Sequence, residues 1–191
     1  IKVASIPKQR MQVYFIDNDE YFKRKAIFSD EDDQLFSDND ERAIFFAKGV
    51  VETVKKLNWA PDIIHVHGWM ASLLPLYIKE YYSDEPLFSE SKIVTSVYDK
   101  DFEGSLNVGL VDKIKFDKIS DDKISILQEP NYTNIIKSAV SNSDAIVQGS
   151  SEIPEEIAEE IRNRDVPALS FQEEDSFESY LNFYKELISE E

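Results

Sequence analysis

The segment that most constrains the fold runs from Asn58 to Pro75 and reads NWAPDIIHVHGWMASLLP. Its apolar run from Asp62 to Val66, between Pro61 and Gly68, is typical of a buried strand in a parallel sheet. After the glycine, apolar residues recur at helical spacing, at Trp69, Ala71, Leu74 and Ile78. The segment therefore predicts a strand, a tight turn and the start of a helix. In an open α/β sheet, ligands bind at the turn that follows such a strand.

The helix that leads into this strand is the clearest in the chain and is predicted from Asn39 to Leu57. Asp38 and Glu41 have the spacing of a capping box, in which each side chain satisfies a free amide of the first turn. The apolar residues form one stripe, made of Ala43, Phe46, Ala47, Val50, Val51, Val54 and Leu57. Helix, strand and helix in succession predict an α/β fold with a Rossmann-like, doubly wound and mostly parallel sheet.

The remaining elements are predicted from shorter patterns. The other strands are Lys2–Ile6 and Met11–Ile16, as two strands or a hairpin, then Lys92–Tyr98, Asp144–Val147 and a weak Pro167–Phe171. The other helices are a short turn at Tyr21–Lys25, a helix capped by Asn131, one that starts at Ser151, and a closing amphipathic helix over Ser176–Ile188. Between these elements, Ala26–Ser37 is predicted to be a loop anchored by Phe28, Leu35 and Phe36, and Leu106–Ile126 has no clear pattern.

Composition narrows the class of protein. The 191 residues are 42% hydrophobic, enough for one sizeable core, so residues 1–191 are predicted to form a single domain with residues 172–191 as a C-terminal helix packed on it. The absence of cysteine excludes disulfides and thiolate chemistry and favours a cytoplasmic location. The net charge of −17 argues against nucleic acid and anionic membranes as partners. No stretch is long and apolar enough to predict a membrane span.

The two histidines of the chain, His65 and His67, stand two residues apart on the central strand. Because side chains alternate along a strand, both are predicted to point to the same side of the sheet. His67 is either a residue of an active cleft or a structural histidine with satisfied hydrogen bonds. For His65 the favoured interpretation is a core histidine bonded to a backbone carbonyl. No pattern supplies a third ligand, so no metal site is predicted.

Three other polar or aromatic positions are candidates for ligand contact. Trp69 is interpreted as a packing residue, with stacking on a sugar as the alternative. Asp17 and Asn18 follow a strand end, where a carboxylate and an amide can bind sugar hydroxyls. A turn-forming Asp-Asn pair is the competing interpretation.

Three segments carry a resemblance to a known family. They are VYFIDNDEYFKR (Val13–Arg24), the block from Phe36 to Lys79 that contains PDIIHVHGWM, and IIKSAVSNSDAIVQGSSEIPEEI (Ile135–Ile157). In this order they resemble the N-terminal starch synthase catalytic domain of bacterial glycogen synthases and plant starch synthases. The resemblance implies the N-terminal half of a two-domain GT-B glycosyltransferase. The chain begins at Ile1 within a strand pattern, which predicts a fragment without the family's first strand and loop and without its second domain.

The resemblance also implies an activity. Members of this family transfer glucose from ADP-glucose to the non-reducing end of an α-1,4-glucan, with retention of configuration. The implied partners are the glucan acceptor and the sugar nucleotide, and no cofactor is implied. By position, the resemblance implies a catalytic role for His67 and acceptor contacts for Asp17, Asn18, Trp69, Tyr98 and Asp99.

The sequence departs from the family at two motifs that bear on catalysis. The family's HDWH turn is HGWM here, so Gly68 replaces an aspartate and Met70 a histidine, and a thioether cannot donate a hydrogen bond. In the loop after the next strand, Tyr98 stands at the family's histidine and Asp99 at its asparagine. A departing diphosphate needs hydrogen-bond donors, whereas this loop offers acids.

These departures leave two hypotheses of different class. The first is the acceptor-side domain of a glycogen or starch synthase-like glucosyltransferase. The second is a non-catalytic glucan-binding or scaffolding relative in glycogen metabolism. A flavodoxin-like nucleotide-binding module is disfavoured because no glycine-rich phosphate loop follows an early strand. The 191-residue chain alone is expected to show no glucose transfer, since one half of a cleft cannot close on a donor.

Overall fold

Six strands form two separate sheets in the computed structural model, which describes residues 1–173 and 176–189. The antiparallel pair is β1 with β2, and the parallel sheet has the order β3-β4-β5-β6. The strands are β1 (Lys2–Ile6), β2 (Met11–Phe15), β3 (Ile63–His67), β4 (Lys92–Val97), β5 (Ala145–Gln148) and β6 (Ala168–Leu169). The prediction of an α/β fold with a mostly parallel sheet is confirmed.

Eight α-helical segments connect and cover these strands in the part of the chain that the structure describes. They are α1 (Asp19–Phe22), α2 (Asn39–Lys56), α3 (Leu74–Leu76), α4 (Leu110–Phe116), α5 (Asp121–Ile124), α6 (Tyr132–Ser141), α7 (Glu155–Arg162) and α8 (Phe177–Ser189). Asn131 caps α6 as predicted, because its side chain accepts a hydrogen bond from the amide of Asn134. Two of these helices, α4 and α5, lie in the stretch for which the sequence has no clear pattern.

The parallel sheet is covered by helices on both faces, as a doubly wound fold requires. On one face, Val66, Ile93, Val97 and Ile146 belong to the main core, together with side chains of α2, α6 and α7. On the other face a smaller apolar cluster joins strands to α8 and consists of Val94, Ala145, Val147, Phe183 and Leu187. Strand alternation assigns His65 and His67 to this second face.

The first 37 residues form a hairpin and a loop beside the parallel sheet. In the hairpin, Lys2 pairs with Phe15 and Ile6 with Met11, and a short 3₁₀ turn at Pro7–Gln9 connects the two strands. The loop that follows α1 is held by Phe28 and Leu35, which pack against the main core. Two of the three predicted anchors are thus confirmed, whereas the ring of Phe36 lies under the guanidinium groups of Arg24 and Arg42.

The predicted capping box of α2 is wrong. The Asp38 side chain makes no capping hydrogen bond, because it accepts hydrogen bonds from the guanidinium of Arg24 instead. The Glu41 carboxylate is bound by the Lys113 ammonium at 2.7 Å and by the Tyr21 hydroxyl at 3.2 Å. Cations from distant segments therefore compete successfully for both of the carboxylates that sequence spacing assigned to the helix amides.

Two helix predictions differ from the structure at their starts. The segment after Gly68 forms a 3₁₀ turn at Trp69–Ala71, then α3, and then a π-helical turn at Tyr77–Tyr81. The helix expected from Ser151 begins at Glu155, directly after Pro154. Pro154 is suited to this boundary because proline has no amide to donate to a preceding turn.

Candidate functional site

The carboxyl ends of three parallel strands meet at one edge of the sheet. His67, the last residue of β3, pairs with Ser96, and Val97, the last residue of β4, pairs with Gln148 at the end of β5. The residues that follow β4 and β5 are Tyr98 and Gly149. This edge is where an open α/β sheet binds its ligands. Side chains from three separate segments are thereby brought together.

His67 projects from this edge with its imidazole accessible to solvent. Its Nδ1 lies 2.6 Å from the hydroxyl oxygen of Tyr98. Directly after it, Gly68 has φ = +74°, in the left-handed region that favours glycine, so the chain turns sharply away from the strand. Partial burial of the ring lowers the pKa of His67. The imidazole is therefore neutral at pH 7.

His65 lies one strand position deeper on the same face, with its ring centroid 4.0 Å from that of His67. Its Nδ1 is hydrogen-bonded to the hydroxyl of Tyr184 on α8, and its Nε2 lies 2.8 Å from Oγ of Ser96. Burial, together with the charge of a protonated His67, lowers the pKa of His65 to about 4. The predicted shared side is correct, but the expected backbone carbonyl partner is wrong, since both partners are hydroxyls.

These histidines do not form part of a metal centre in the described structure. Across residues 1–173 and 176–189, no group of three or more His, Asp or Glu side chains is arranged to hold a metal ion. In the same ranges, no helix has the length and apolar character needed to cross a membrane.

The ring of Tyr98 is held between its neighbours. It lies directly over Gly149, whose amide donates to the carbonyl of Val97 at 2.7 Å. The hydroxyl of Tyr132, on α6, donates to the carbonyls of Tyr98 at 3.1 Å and Asp99 at 2.8 Å. Both the ring and the backbone of Tyr98 are thus constrained at the point where its hydroxyl meets His67.

Substitution of Gly149 by alanine tests this close approach. An added Cβ would lie 2.5 Å from Cε1 of Tyr98, so the ring would have to move. We expect Gly149→Ala to lower the free energy of unfolding by about 1–3 kcal/mol, as overpacking does. Urea denaturation followed by circular dichroism measures this loss.

The matched control is Gly109→Ala, where the nearest atom is Oδ1 of Asn107 at 3.1 Å, on an exposed side chain that accepts a hydrogen bond from the Gly109 amide and has to move by only a few tenths of an ångström. This control is expected to change the free energy of unfolding by less than about 0.5 kcal/mol. Equal effects of the two substitutions would contradict a tight contact between Gly149 and Tyr98.

The loop after Tyr98 is acidic. Asp99 is exposed, and its carboxylate accepts a hydrogen bond from the amide of Lys100 at 2.8 Å. The amide of Asp99 donates to Oγ of Ser150 at 3.2 Å, which joins the loops after β4 and β5. Burial, with a smaller contribution from Asp99, raises the pKa of Asp101. The one cation of this loop, Lys100, forms an ion pair with Glu103 at 2.6 Å, so the loop keeps a net negative charge and offers mainly hydrogen-bond acceptors to a ligand.

Asp17 and Asn18 make local contacts at the end of the hairpin. The Asp17 carboxylate forms an ion pair with Lys2 at 2.8 Å, and its hydrogen bond to Lys2 lowers the pKa of Asp17. Asn18 caps α1, because its Oδ1 accepts from the amide of Tyr21 at 3.0 Å. Asn18 thus makes the contact of a helix cap, Asp17 joins the two ends of the hairpin, and neither contact reaches His67.

Trp69 and Met70 follow the turn but belong to the interior. Trp69 is 1% exposed and lies between the rings of Phe28 and Phe102, with centroid distances of 4.8 and 5.1 Å. Of its two interpretations, packing describes its place in this fold. Met70 lines a cavity of about 300 Å³ together with Ile16 and Phe28. Met70 is thus partly buried and packs against the main core.

Sequence reasoning missed two residues that contact the histidines. Ser96 lies opposite His67 in the strand register but bonds His65, and Tyr184 reaches His65 from α8, 119 residues away. The apolar stripe of the last helix was the only available signal for Tyr184. Such a stripe predicts burial without indicating which strand is covered.

Comparison with known proteins assigns the chain to a family. Residues 1–167 match the model of the starch synthase catalytic domain. A glycogen synthase of Chlorobium luteolum is 33% identical over 176 residues, which are 91% of this chain and 34% of the relative. A glycogen synthase of Chlorobium limicola is 33% identical over 158 residues, which are 82% of this chain and 32% of the relative.

A glycogen synthase of Chlorobium chlorochromatii is 39% identical over 103 residues, which are 51% of this chain and 20% of the relative. The chain thus spans about a third of the length of the first two relatives. The matched region contains β1 to β5 and the whole of the edge formed by His67, Tyr98 and Gly149. The chain therefore belongs to the starch synthase catalytic domain family, to which its Rossmann-like sheet and the histidine at the end of β3 had pointed.

Proposed function

We propose that this chain is the acceptor-side domain of a glycogen synthase-type glucosyltransferase that transfers glucose from ADP-glucose to the non-reducing end of an α-1,4-glucan. The observation that carries the proposal is the accessible imidazole of His67 at the carboxyl end of β3, inside the region that matches the family. A neutral imidazole at such an edge supplies a hydrogen bond to a substrate oxygen.

The charge of the edge supports an acceptor rather than a nucleotide on this domain. The nearby carboxylates of Asp99 and Asp101 repel a diphosphate, whereas carboxylates readily accept hydrogen bonds from sugar hydroxyls. Among the residues implied for acceptor contact, Tyr98 and Asp99 lie at the same edge as His67. The proposal therefore concentrates acceptor binding on this loop and assigns Trp69 to the core.

We propose further that the 191-residue chain alone does not turn over substrate. It spans about a third of the length of the glycogen synthases that it matches. Transfer requires the departing diphosphate to be stabilised by hydrogen-bond donors or positive charge. The loop after β4 has a net negative charge and its one cation, Lys100, is paired with Glu103, so this loop does not itself provide that stabilisation.

The replacement of two family residues favours a second candidate function, a non-catalytic glucan-binding or scaffolding role. Gly68 has no side chain to contact substrate, and Met70 lies in an apolar cavity beside Ile16 and Phe28. Neither residue can perform the hydrogen bonding of the aspartate and histidine that the family resemblance implies.

The deciding experiment measures transfer of labelled glucose from ADP-glucose to glycogen by the full-length gene product, with UDP-glucose in parallel. We expect transfer from ADP-glucose, and a decrease of about 100-fold on His67→Ala, the size typical for loss of one substrate-stabilising donor. Phe116→Ala, an exposed substitution on α4, is the control and is expected to leave the rate unchanged.

Two outcomes would contradict the first proposal. Full activity of His67→Ala would show that this histidine has no role in glucose transfer. Inactivity of both the unmodified protein and Met70→His, with malto-oligosaccharide binding intact, would instead support the glucan-binding candidate.

A further inference from the structure

Each histidine of this chain is hydrogen-bonded through Nδ1 to its own tyrosine hydroxyl. His67 is hydrogen-bonded to Tyr98, which lies in the loop after β4, and His65 is hydrogen-bonded to Tyr184, which lies on α8. The two pairs differ at the other ring nitrogen. Nε2 of His65 also meets a hydroxyl, that of Ser96, whereas no hydrogen bond to Nε2 of His67 is found within residues 1–173 and 176–189.

The position of the Tyr98 hydroxyl is defined by three contacts. The aromatic ring rests on Gly149, where even a methyl group would clash. The carbonyls of Tyr98 and Asp99 both accept from the Tyr132 hydroxyl, and Tyr132 is itself buried. The nearest partner of the hydroxyl held in this way is the imidazole of His67 at 2.6 Å, and the hydroxyl also interacts with the side chain of Ser96.

The direction of this hydrogen bond follows from the chemistry of the two groups. A neutral imidazole has one nitrogen that carries a proton and one that accepts. Burial raises the pKa of Tyr98 above the usual value for a phenol, so its hydroxyl is protonated at neutral pH and can donate, and the basic imidazole nitrogen is a better acceptor than a phenol oxygen. Donation from Tyr98 to Nδ1 places the imidazole proton on Nε2, the nitrogen that is open at the edge of the sheet.

We propose that Tyr98 is a positioning residue that holds His67 in the tautomer protonated on Nε2, so that His67 presents a hydrogen-bond donor to its ligand. The ligand atom that meets His67 is then an acceptor oxygen. His67 stabilises negative charge that develops on this oxygen and does not act as a base. Only the identity of the ligand rests on the proposed function, because the tautomer is a property of the chain itself.

The test is long-range ¹H–¹⁵N NMR of the 191-residue chain at neutral pH, where its two imidazoles give two sets of nitrogen signals. We expect His67 to show an unprotonated Nδ1 and a protonated Nε2. In Tyr98→Phe the hydroxyl is absent, so the two nitrogen signals of His67 should move towards each other as the tautomers mix. Tyr184→Phe is the matched control and should change the signals of His65 alone.

The unmodified protein decides the tautomer without any variant, which guards against misfolding of Tyr98→Phe. A proton on Nδ1 of His67 overturns the proposal. So does a correctly folded Tyr98→Phe in which both nitrogen signals of His67 are unchanged.

Kinetics of the full-length protein separate this inference from the proposed function. If transfer is detected, Tyr98→Phe should lower kcat by about tenfold, the effect of one lost hydrogen bond, and leave KM within about twofold. Tyr184→Phe should leave both unchanged, and equal effects of the two variants would overturn the positioning role. If no transfer is detected, the proposed function fails, while the NMR result still decides the tautomer.

Discussion

Replacing Trp69 by alanine is expected to lower the free energy of unfolding by about 3–5 kcal/mol, the range for deletion of a large buried aromatic side chain. The indole is 1% exposed and fills the space between Phe28 and Phe102. Its removal would leave a cavity under the loop that follows α1. Urea denaturation monitored by circular dichroism measures the loss.

The matched control is Trp69→Phe. It retains an aromatic ring and deletes the indole N–H, a buried donor that has no hydrogen-bond partner among the described residues. We expect this variant to lose about half as much as Trp69→Ala or less, because most of the buried aromatic volume is retained and only a small gap is left. If Trp69→Ala lowers the free energy of unfolding by less than about 1 kcal/mol, the core role is contradicted. Stacking on a sugar is then the remaining interpretation of Trp69.

Replacing Lys113 by methionine is expected to lower the free energy of unfolding by about 3–5 kcal/mol, because it leaves a buried carboxylate without its cation. The Lys113 ammonium lies 2.6 Å from Oδ2 of Asp40 and 2.7 Å from Oε1 of Glu41. The Asp40 side chain is 0% exposed, whereas that of Glu41 is 42% exposed. Burial opposes the charge of Lys113, but its hydrogen bonds to Asp40 and Glu41 outweigh burial and raise its pKa.

Two further variants isolate the buried contact. Glu41→Gln removes only the exposed partner and should cost less than about 1 kcal/mol. The double variant Lys113→Met with Asp40→Asn removes both buried charges and should recover part of the loss, because the two residues interact directly. Chemical denaturation of the unmodified protein, Lys113→Met, the double variant and Asp40→Asn alone, all at one pH, provides the cycle. If Lys113→Met costs no more than Glu41→Gln, the buried ion pair is not a main source of stability.

Local patterns predicted the fold well. A run such as Asp62 to Val66 between proline and glycine identifies a buried strand, and Asn131 identifies a helix start, because both signals depend on nearby residues only. The capping box at Asp38 and Glu41 failed for the opposite reason. Asp38 and Glu41 are bound by Arg24 and Lys113, and the local sequence does not indicate which cation from a distant segment will lie beside each carboxylate.

The candidate site was predictable only in part. Alternation along β3 correctly placed the two histidine rings on one face. The packing role of Trp69 was predicted and is confirmed, whereas helical spacing did not predict the 3₁₀ turn after Gly68, in which Trp69 and Met70 lie. The contact of Tyr98 with Gly149 joins two loops, so it arises only when β4 and β5 pair in register.

The packing of α8 against the sheet affects the order in which the surroundings of the two histidines form and open. As the chain leaves the ribosome, β3 to β6 can assemble before Tyr184 exists, and the contact between Tyr184 and His65 closes a long loop of chain. Only Phe183 and Leu187 are buried on this helix. Elements with few buried side chains open at the lowest free energy. The surroundings of the two histidines are therefore completed only after β3 to β6 have been synthesised, and they open at a lower free energy than the buried strands of the parallel sheet.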